Sequence, residues 1–302
     1  MVSSDEHDLT RPEDGVSSGS TYPIDTEQAE ELVRLMQQNC LAIEAVGGIF
    51  PEGLDLPEGG RVLDLACGPG GWVLEAAFQY PQVDFIGVDI SQSMIEYARA
   101  QAQSRQLENA RFLIMDVMKP LSFPEATFDA INGRLLSSFM LPAAWPELLK
   151  ECRRLLKPGG VLCLTDTEGP LTTSEATERF FALSFQALKR AGQSFSPDGR
   201  HIGITPQLAP LLRQAGFERV RLSASAIDWS SETPAHYSFF KDVMVLLEVS
   251  QPFLIQMGLA TKEELRQLAQ QALAEMQADD FRGLAVAVNA WGHKPDAENE
   301  NK

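Results

Sequence analysis

The sequence predicts an α/β protein built on a doubly wound, mostly parallel sheet. Between residues 60 and 166, short apolar runs alternate with segments of helical periodicity, which is the pattern of strands joined by crossover helices. The first run, at 62–66, passes through a glycine-rich turn directly into a helical pattern. Acidic residues lie at or near the carboxyl ends of the first three runs. Right-handed crossovers bring these ends to one edge of the sheet, where such sheets bind their ligands.

Five strands and three helices account for the first part of this pattern. The predicted strands are 62–66, 83–89, 110–116, 128–133 and 161–166, and the predicted helices are 72–78, 93–103 and 145–156. Gly159 and Gly160 are interpreted as a turn. In the later part, helical patterns at 173–190 and 206–215 precede predicted strands at 217–229 and 284–291. Between those two strands the pattern is helical, with interruptions near Pro252 and Gly258, and it is too long for a simple turn.

The composition divides the chain into a core with added segments. Residues 1–20 are rich in Ser, Asp, Glu and Gly, so they are predicted to be a disordered tail. An amphipathic pattern that starts at Thr26 and ends near Gly47 predicts a helical cap over 21–57. The predicted core is 58–230 together with 282–294, the helical insertion 231–281 is predicted to act as a lid, and 295–302 is a polar tail.

The charge balance argues against a nucleic-acid partner. The chain has 25 Lys and Arg against 42 Asp and Glu, a formal net charge of −17, which repels a phosphate backbone. The four cysteines have no metal-ligand spacing, so no metal site is predicted, and they suit a reducing compartment. The sequence has no apolar signal region and no run long enough to span a bilayer, so we expect a cytoplasmic protein without a membrane partner. No oligomeric state is predicted.

The glycine turn predicts a nucleotide-type ligand. Gly68, Gly70 and Gly71 lie between the first strand and the helix that starts near Trp72. Glycine has no Cβ and lets a ligand approach the backbone closely, while the N–H groups at a helix start favour an acceptor or anion. Nicotinamide dinucleotide sites use the spacing G-x-G-x-x-G/A, and here the third glycine position is Val73. That fingerprint therefore fails.

Two later carboxylates narrow the ligand further. Asp89 ends the second predicted strand, nineteen positions after Gly70, where a carboxylate can accept two hydrogen bonds from a ribose diol. Asp116 ends the third predicted strand, where a carboxylate can accept from the exocyclic amine of a base. Together with Asp64, these residues line one edge of the predicted sheet.

Five segments, in this order, resemble class I S-adenosylmethionine-dependent methyltransferases of the quinone-biosynthesis and small-molecule types. They are 62–71 with the glycine turn, 87–91, 116–117, 128–129 and 155–160, and the resemblance covers about residues 58–168 well and the two late strands loosely. Ala66 departs from the family pattern, because many members have glycine there. The resemblance implies a Rossmann-like, seven-stranded sheet whose last strand is antiparallel, and S-adenosyl-L-methionine as the cofactor.

The resemblance also implies roles for particular residues. Those that would contact the methionine part of the cofactor are Asp64, Ala66, Gly68 and Gly70; those around the ribose and adenine are Asp89, Ile90, Met94, Asp116 and Val117; and those near the sulfonium and its methyl group are Asn132, Gly133 and Arg134. Arg134 has two interpretations, an ion pair with a nearby Asp or Glu or a contact with the cofactor carboxylate. Tyr22 also has two, closing over the cofactor, as N-terminal segments do in related enzymes, or packing in the core.

The methyl acceptor is predicted to be a small hydrophobic or aromatic molecule. The helical insertion is rich in apolar residues, and if part of it faces the cofactor with the phenylalanine-rich helix at 173–190, the two form an apolar lid. The Asn/Asp-Pro-Pro-Tyr/Phe motif of amino-methylating DNA enzymes is absent after the fourth strand, where 132–135 are Asn-Gly-Arg-Leu. Methyl transfer is an in-line displacement at the sulfonium, in which the protein mainly positions and desolvates the nucleophile.

A general base is needed only where the acceptor is protonated at the working pH. The candidates are His201, His236, Tyr237 and Asp166, and for each a surface or core role is the simpler interpretation. We favour His236 and Tyr237 as the catalytic residues, because they begin the helical insertion close to Trp229. Asp166 and Glu168, at the end of the fifth strand, face either the substrate or a solvated loop.

Three other functions use a related fold. A nicotinamide-dependent oxidoreductase is disfavoured by Val73 and by the Lys-Pro-Gly-Gly segment at 157–160. Aminopropyl transfer, as in spermidine synthases, is disfavoured because the paired Asp residues of that active site are not found. A non-catalytic S-adenosylmethionine-binding protein stays open, since methyl transfer needs no invariant base.

Overall fold

The computed structural model describes residues 22–24, 34–36, 48–51 and 53–296. The predicted tail at 1–20, most of the predicted cap at 21–57 and the end of the chain from 297 lie outside the described residues. Within that cap, residues 34–36 are helical.

Eight strands and eight α-helices follow one another in the described part of the chain. The strands are β1 (Arg61–Leu65), β2 (Asp84–Asp89), β3 (Ala110–Ile114), β4 (Phe128–Arg134), β5 (Leu156–Thr167), β6 (Leu171–Thr172), β7 (Glu218–Asp228) and β8 (Gly283–His293). The helices are α1 (Gly71–Gln79), α2 (Gln92–Ser104), α3 (Trp145–Leu155), α4 (Glu175–Arg190), α5 (Leu208–Gln214), α6 (His236–Val249), α7 (Gln251–Gln256) and α8 (Lys262–Met276). Two short 3₁₀ turns, Leu136–Ser138 and Pro142–Ala144, lie between β4 and α3.

The strands form one mixed sheet with the order β3-β2-β1-β4-β5-β8, and β7 pairs with the far side of β8. The pairs from β3 to β5 are parallel, whereas β8 is antiparallel to both β5 and β7. The predicted Rossmann-like sheet with an antiparallel last strand is therefore confirmed. The additional strand is β6, whose two residues pair with the start of β8.

The predicted turn at Gly159 and Gly160 is instead part of an extended β5. Gly159 N–H donates to the carbonyl of Lys294 at 3.0 Å, and Lys294 N–H donates to the carbonyl of Gly160 at 2.8 Å. This backbone pairing extends the β5–β8 ladder beyond His293, so the segment is held as a strand despite its Pro-Gly-Gly sequence. Its register opposite β4 shifts between Phe128 and Ala130.

Apolar layers cover both faces of the sheet. On one face, α1 and α2 pack through a cluster that includes Trp72 and Phe112. On the other face, α3 and α5 pack through a cluster that includes Trp145 and Leu162. A third cluster around Trp229 joins α4 to the three helices between β7 and β8. The carboxyl ends of the parallel strands face this group of helices.

The helices that the structure describes are short. The longest is α4, with 16 residues between a Ser174 cap and a basic last turn. None of them is both long and apolar enough to cross a bilayer.

A cavity at the carboxyl ends of the parallel strands

A cavity of about 420 Å³ opens at the carboxyl ends of the parallel strands. This volume is in the range of small-molecule sites. Its walls come from the turns after β1 to β5, from Tyr22 and Arg34, and from α4 and α6. Ten of the predicted cofactor residues line it: Tyr22, Asp64, Ala66, Gly68, Asp89, Ile90, Met94, Asp116, Val117 and Arg134.

Asp89 ties the glycine turn to the start of α2. Its Oδ2 accepts a hydrogen bond from Gly68 N–H at 2.8 Å, and its Oδ1 accepts one from Ser91 N–H at 2.9 Å. Burial raises the pKa of Asp89, and these hydrogen bonds oppose the shift. The carboxylate has about four acceptor positions, and the backbone N–H groups of Gly68, Ser91 and Ile90 leave about one of them for a ribose hydroxyl.

Gly68 and Gly70 have different roles, although the sequence assigned both to the cofactor. Gly68 lines the cavity, and among the described residues a Cβ built on it would meet Leu35 Cδ1 alone, at 3.9 Å. Gly70 is not among the residues that line the cavity, and a Cβ there would lie 2.6 Å from Phe112 Cε1 and 2.8 Å from Ala98 Cβ. The core against α2 and β3 therefore requires glycine at position 70, and the structure does not support a direct cofactor contact there.

Ala66 occupies a backbone conformation that favours glycine. Its φ is +49°, in the left-handed region, where an L residue costs of order 1–2 kcal/mol. This is a physical reason for glycine at the same position of the family pattern. Ala66 nevertheless lines the cavity, as predicted.

Asp64 is a buried carboxyl group beside Arg134 and Asn132. Asn132 Nδ2 donates to Asp64 Oδ1 at 2.7 Å, since the two residues are register partners on β1 and β4. Burial raises the pKa of Asp64 to about 6, against the opposing effects of the Arg134 charge and the Asn132 amide. Asn132 lines a small pocket behind the main cavity rather than the cavity itself, so it acts on the site through Asp64. Arg134 lines both.

Asp116 and Val117 lie in the turn after β3, because that strand ends at Ile114, two residues before its predicted end. Asp116 Oδ1 accepts from Met118 N–H at 2.9 Å, and Lys119 Nζ lies 3.3 Å from its Oδ2. The turn still places both residues on the cavity wall with Ile90, and their contact with the adenine stays a prediction.

The structure does not bring the predicted bases His236 and Tyr237 to the cavity. His236 Nδ1 lies 3.0 Å from the Trp229 carbonyl oxygen, and its ring centroid is 5.7 Å from that of Phe281. Tyr237 is 64% exposed, with Lys241 Nζ 4.5 Å from its ring centroid. Residues later on α6 face the cavity instead, so the two positions at its start lie one turn too early. His201 is exposed and does not line the cavity either.

The apolar residues that line the cavity come mainly from three helices, and we call this part of its wall the apolar chamber. Its members are Phe181, Phe185 and Leu188 from α4, Phe239, Val243 and Leu246 from α6, Phe253 from α7, and Ile202 and Ile227. The spacing of three or four residues on α4 and α6 places each set on one helix face. The predicted apolar lid corresponds to these faces.

Two carboxylates in the cavity wall, those of Asp242 and Glu168, make contacts that were not predicted. Arg34 Nη1 lies 3.1 Å from Asp242 Oδ1, with both side chains nearly buried, and Arg34 Nη2 donates to the Tyr22 hydroxyl at 3.2 Å. Glu168 accepts from Gly203 N–H at 2.9 Å and from the Thr205 hydroxyl at 2.9 Å, which fixes the loop before α5. Tyr22 therefore lines the cavity as a hydrogen-bonded wall residue rather than as a core tyrosine.

Comparisons with known proteins identify the family. A family model described as a methyltransferase domain matches residues 62–160. Demethylmenaquinone methyltransferase from Deinococcus radiodurans is 33% identical over 168 residues, which cover 52% of this chain and 67% of that enzyme. A probable methyltransferase from Aspergillus luteorubrus is 28% identical over 185 residues, covering 57% of this chain and 63% of that protein.

A solved structure shares the fold. Phosphoethanolamine N-methyltransferase 2 from Haemonchus contortus, in complex with phosphomonomethylethanolamine and S-adenosylhomocysteine, aligns with a TM-score of 0.50 and 19% identity. The alignment covers 86% of this chain and 52% of that one. The matches are consistent with the sequence and the site, where the nicotinamide fingerprint fails at Val73 and Asp89 accepts a hydrogen bond from the glycine turn. The chain belongs to the class I S-adenosylmethionine-dependent methyltransferases, and S-adenosyl-L-methionine is its cofactor.

Proposed function

We propose that the chain transfers the methyl group, by in-line displacement, to a small neutral acceptor whose hydrophobic or aromatic body lies in the apolar chamber. The observation that carries this proposal is the continuity of the cavity. The chamber faces of α4 and α6 and the glycine turn with Asp89 line the same space. An acceptor in the chamber therefore has a direct path to the sulfonium methyl group, without crossing solvent.

The charges of the cavity argue against an anionic acceptor. Among the described residues that line it, the cationic side chains are Arg34 and Arg134. Arg34 is paired with Asp242, and the Arg134 charge acts on Asp64. A phosphate or carboxylate group usually requires an Arg or Lys cluster that can bind it in more than one place. We therefore expect this chain to discriminate against phosphorylated amines such as phosphomonomethylethanolamine, which is bound in the Haemonchus contortus complex.

Positioning and desolvation are the main contributions that this cavity offers to the reaction. No histidine lines it within the described residues. The cofactor supplies the electrophilic methyl group, and the apolar chamber removes water from the nucleophile and holds it near the sulfonium. The test is a panel of neutral hydroxy- and amino-aromatic compounds, hydroquinones and phosphoethanolamine, incubated with methyl-labelled S-adenosylmethionine. We expect label in neutral aromatic products, and label in phosphoethanolamine alone would contradict the proposal.

Leu246→Gln is expected to raise KM for a neutral acceptor by about tenfold, because it places an amide in the apolar chamber wall. Cofactor affinity should stay within about twofold of the wild type, since Leu246 belongs to α6 and not to the glycine turn or the strand ends. Steady-state kinetics and calorimetric titration of S-adenosylhomocysteine measure the two effects. The matched control is Leu222→Gln, at an exposed position of β7 that does not line the cavity. Equal effects of the two substitutions would count against the chamber as the acceptor site.

Binding of S-adenosylmethionine is expected to strengthen as the pH rises through about 6, the raised pKa of Asp64. If Asp64 lies beside the cofactor, the ammonium and sulfonium charges favour its ionised form and lower that pKa on binding. The complex then holds fewer protons than the free protein near pH 6, so protons are released and affinity falls at lower pH.

Titration calorimetry in two buffers with different ionisation enthalpies measures this proton release. S-adenosylhomocysteine, which lacks the sulfonium charge, should release fewer protons, and Asp64→Asn should remove most of the release. Proton uptake on binding, or release that is unchanged in Asp64→Asn, would exclude Asp64 as the linked group.

A further inference from the structure

Asp166, at the end of β5, is a buried carboxylate that lines the cavity and holds the turn after β4. Its Oδ1 accepts from the Ser137 hydroxyl at 2.6 Å and from Thr167 N–H at 2.9 Å, and its Oδ2 accepts from Ser137 N–H at 3.1 Å. About three of its four acceptor positions are therefore filled from within the protein. The residue is only 2% exposed.

This engagement makes Asp166 poorly suited to remove a proton from an acceptor. A general base must reach the proton directly or through one water molecule, and Asp166 has one open acceptor position and almost no accessible surface. Burial raises the pKa of Asp166 to about 6, while the hydrogen bonds from Ser137 and Thr167 partly restore the stability of its anion. The carboxylate is thus an anchor for Ser137.

The anchored turn has a strained residue at its start. Leu135 has a φ of +55°, in the left-handed region, which costs a residue with a Cβ of order 1–2 kcal/mol. Its N–H donates to the Thr165 carbonyl at 2.8 Å, and its carbonyl accepts from the Ser138 hydroxyl at 2.7 Å. Such a conformation persists only where its surroundings enforce it. Asp166 supplies two of the hydrogen bonds that do so, both through Ser137.

The turn forms the part of the cavity wall next to Arg134 and Asp64, where the cofactor is expected to bind. Arg134, beside Asp64, is the last residue of β4, and the turn continues through Ser138 to Phe139. All three of Arg134, Ser138 and Phe139 line the cavity. A shift of this turn would therefore move groups at the place where cofactor and acceptor must meet.

We propose that Asp166 is a positioning residue that acts through Ser137: it holds the left-handed turn after β4 and so sets the line on which the acceptor approaches the methyl group. This proposal rests on the acceptor lying in the same cavity as the cofactor. It assigns to Asp166 an effect on kcat rather than on binding, because misplacement of a reacting atom by about 1 Å costs roughly a hundredfold in rate.

Asp166→Asn tests the proposal. An asparagine amide has only one oxygen, so its NH₂ group must face the backbone N–H of either Ser137 or Thr167, and the turn has to shift. We expect kcat to fall by about 10- to 100-fold, with KM and S-adenosylhomocysteine affinity within about threefold of the wild type. Ser137→Ala removes one of the three donors and should lower kcat in the same direction by less. This milder variant keeps the test valid if Asp166→Asn does not fold.

Hydrogen exchange gives a second readout that needs no acceptor. With S-adenosylhomocysteine bound, the amides at 135–139 should exchange about tenfold faster in Asp166→Asn, while those of β1 keep their wild-type rates. If no compound in the acceptor panel is methylated, the acceptor proposal fails, and this exchange measurement still decides the role of Asp166. Unchanged exchange at the turn would overturn that role.

Asp228→Asn is the matched control. Asp228 accepts from Ser230 N–H at 3.0 Å and from the Ser230 hydroxyl at 2.6 Å, the same pair of donors that Ser137 offers, but it does not line the cavity. We expect wild-type kcat and wild-type exchange at 135–139 in this variant. A loss of kcat equal to that of Asp166→Asn, or an Asp166→Asn protein that loses cofactor affinity but keeps kcat, would also overturn the proposal.

Discussion

Replacement of Asp89 by alanine should weaken S-adenosylhomocysteine binding by about a hundredfold or more, since it removes two charge-assisted acceptors. The substitution takes away the oxygens that we expect to bind the ribose diol. It also leaves the N–H groups of Gly68 and Ser91 without their acceptor, so the glycine turn and the start of α2 both lose their anchor. Calorimetric titration measures the affinity, and circular dichroism checks that the fold is retained.

The control for Asp89 lies at the other end of the same strand. Asp84→Ala removes a carboxylate from the first residue of β2, which does not line the cavity, so wild-type affinity is expected. Asp89→Asn keeps one acceptor oxygen and should give an intermediate affinity. Wild-type affinity in Asp89→Ala would remove this carboxylate from the cofactor site.

Gly70→Ala should cost about 3 kcal/mol or more of unfolding free energy, because a left-handed L residue and an overpacked core each cost of order 1–3 kcal/mol. The φ of Gly70 is +80°, and the new methyl group would lie within 2.6–2.8 Å of Phe112 and Ala98 side-chain atoms. Urea denaturation monitored by tryptophan fluorescence measures the loss. Because the clash lies in the core, the loss of unfolding free energy should appear without any cofactor present.

Substitutions at two other glycines separate the cost of backbone strain from the effect of contact with the core or the cofactor. Gly192→Ala, at a φ of +79° with open space around it, should show the backbone cost alone, about 1 kcal/mol. Gly68→Ala should cost a similar amount of stability but should also lower cofactor affinity by about tenfold, because Gly68 lines the cavity. Equal stability of Gly70→Ala and Gly192→Ala would contradict the packing role of Gly70.

The cofactor half of the site was predictable because its residues lie near strand ends that are themselves readable from the sequence. A short apolar run followed by a glycine turn or an acid marks β1, β2 and β3 locally, and Asp64, Asp89 and Asp116 follow from their positions relative to those runs. Gly70 and Asn132 do not line the cavity, and this depends on which way a residue faces within the turn or strand. The sequence pattern does not determine that direction.

For the acceptor half of the site, the sequence predicted only that apolar helix faces would form it. Helical periodicity identifies an apolar face on α4 and on α6, but what a face packs against is set by contacts between distant segments. Arg34 and Asp242 are 208 positions apart, and neither has a local signature of an ion pair. His236 and Tyr237 were favoured for their place at the start of the helical insertion, and the structure directs His236 at the Trp229 carbonyl and leaves Tyr237 exposed.

The central claim, that one cavity holds the cofactor at the glycine turn and the acceptor in the apolar chamber, is tested most directly by a crystal structure with S-adenosylhomocysteine. We predict that the ribose hydroxyls contact Asp89 and that the cofactor sulfur faces the chamber lined by Phe181, Phe239 and Leu246. A cofactor whose sulfur is directed away from that chamber, or one that itself fills the chamber, would contradict the claim.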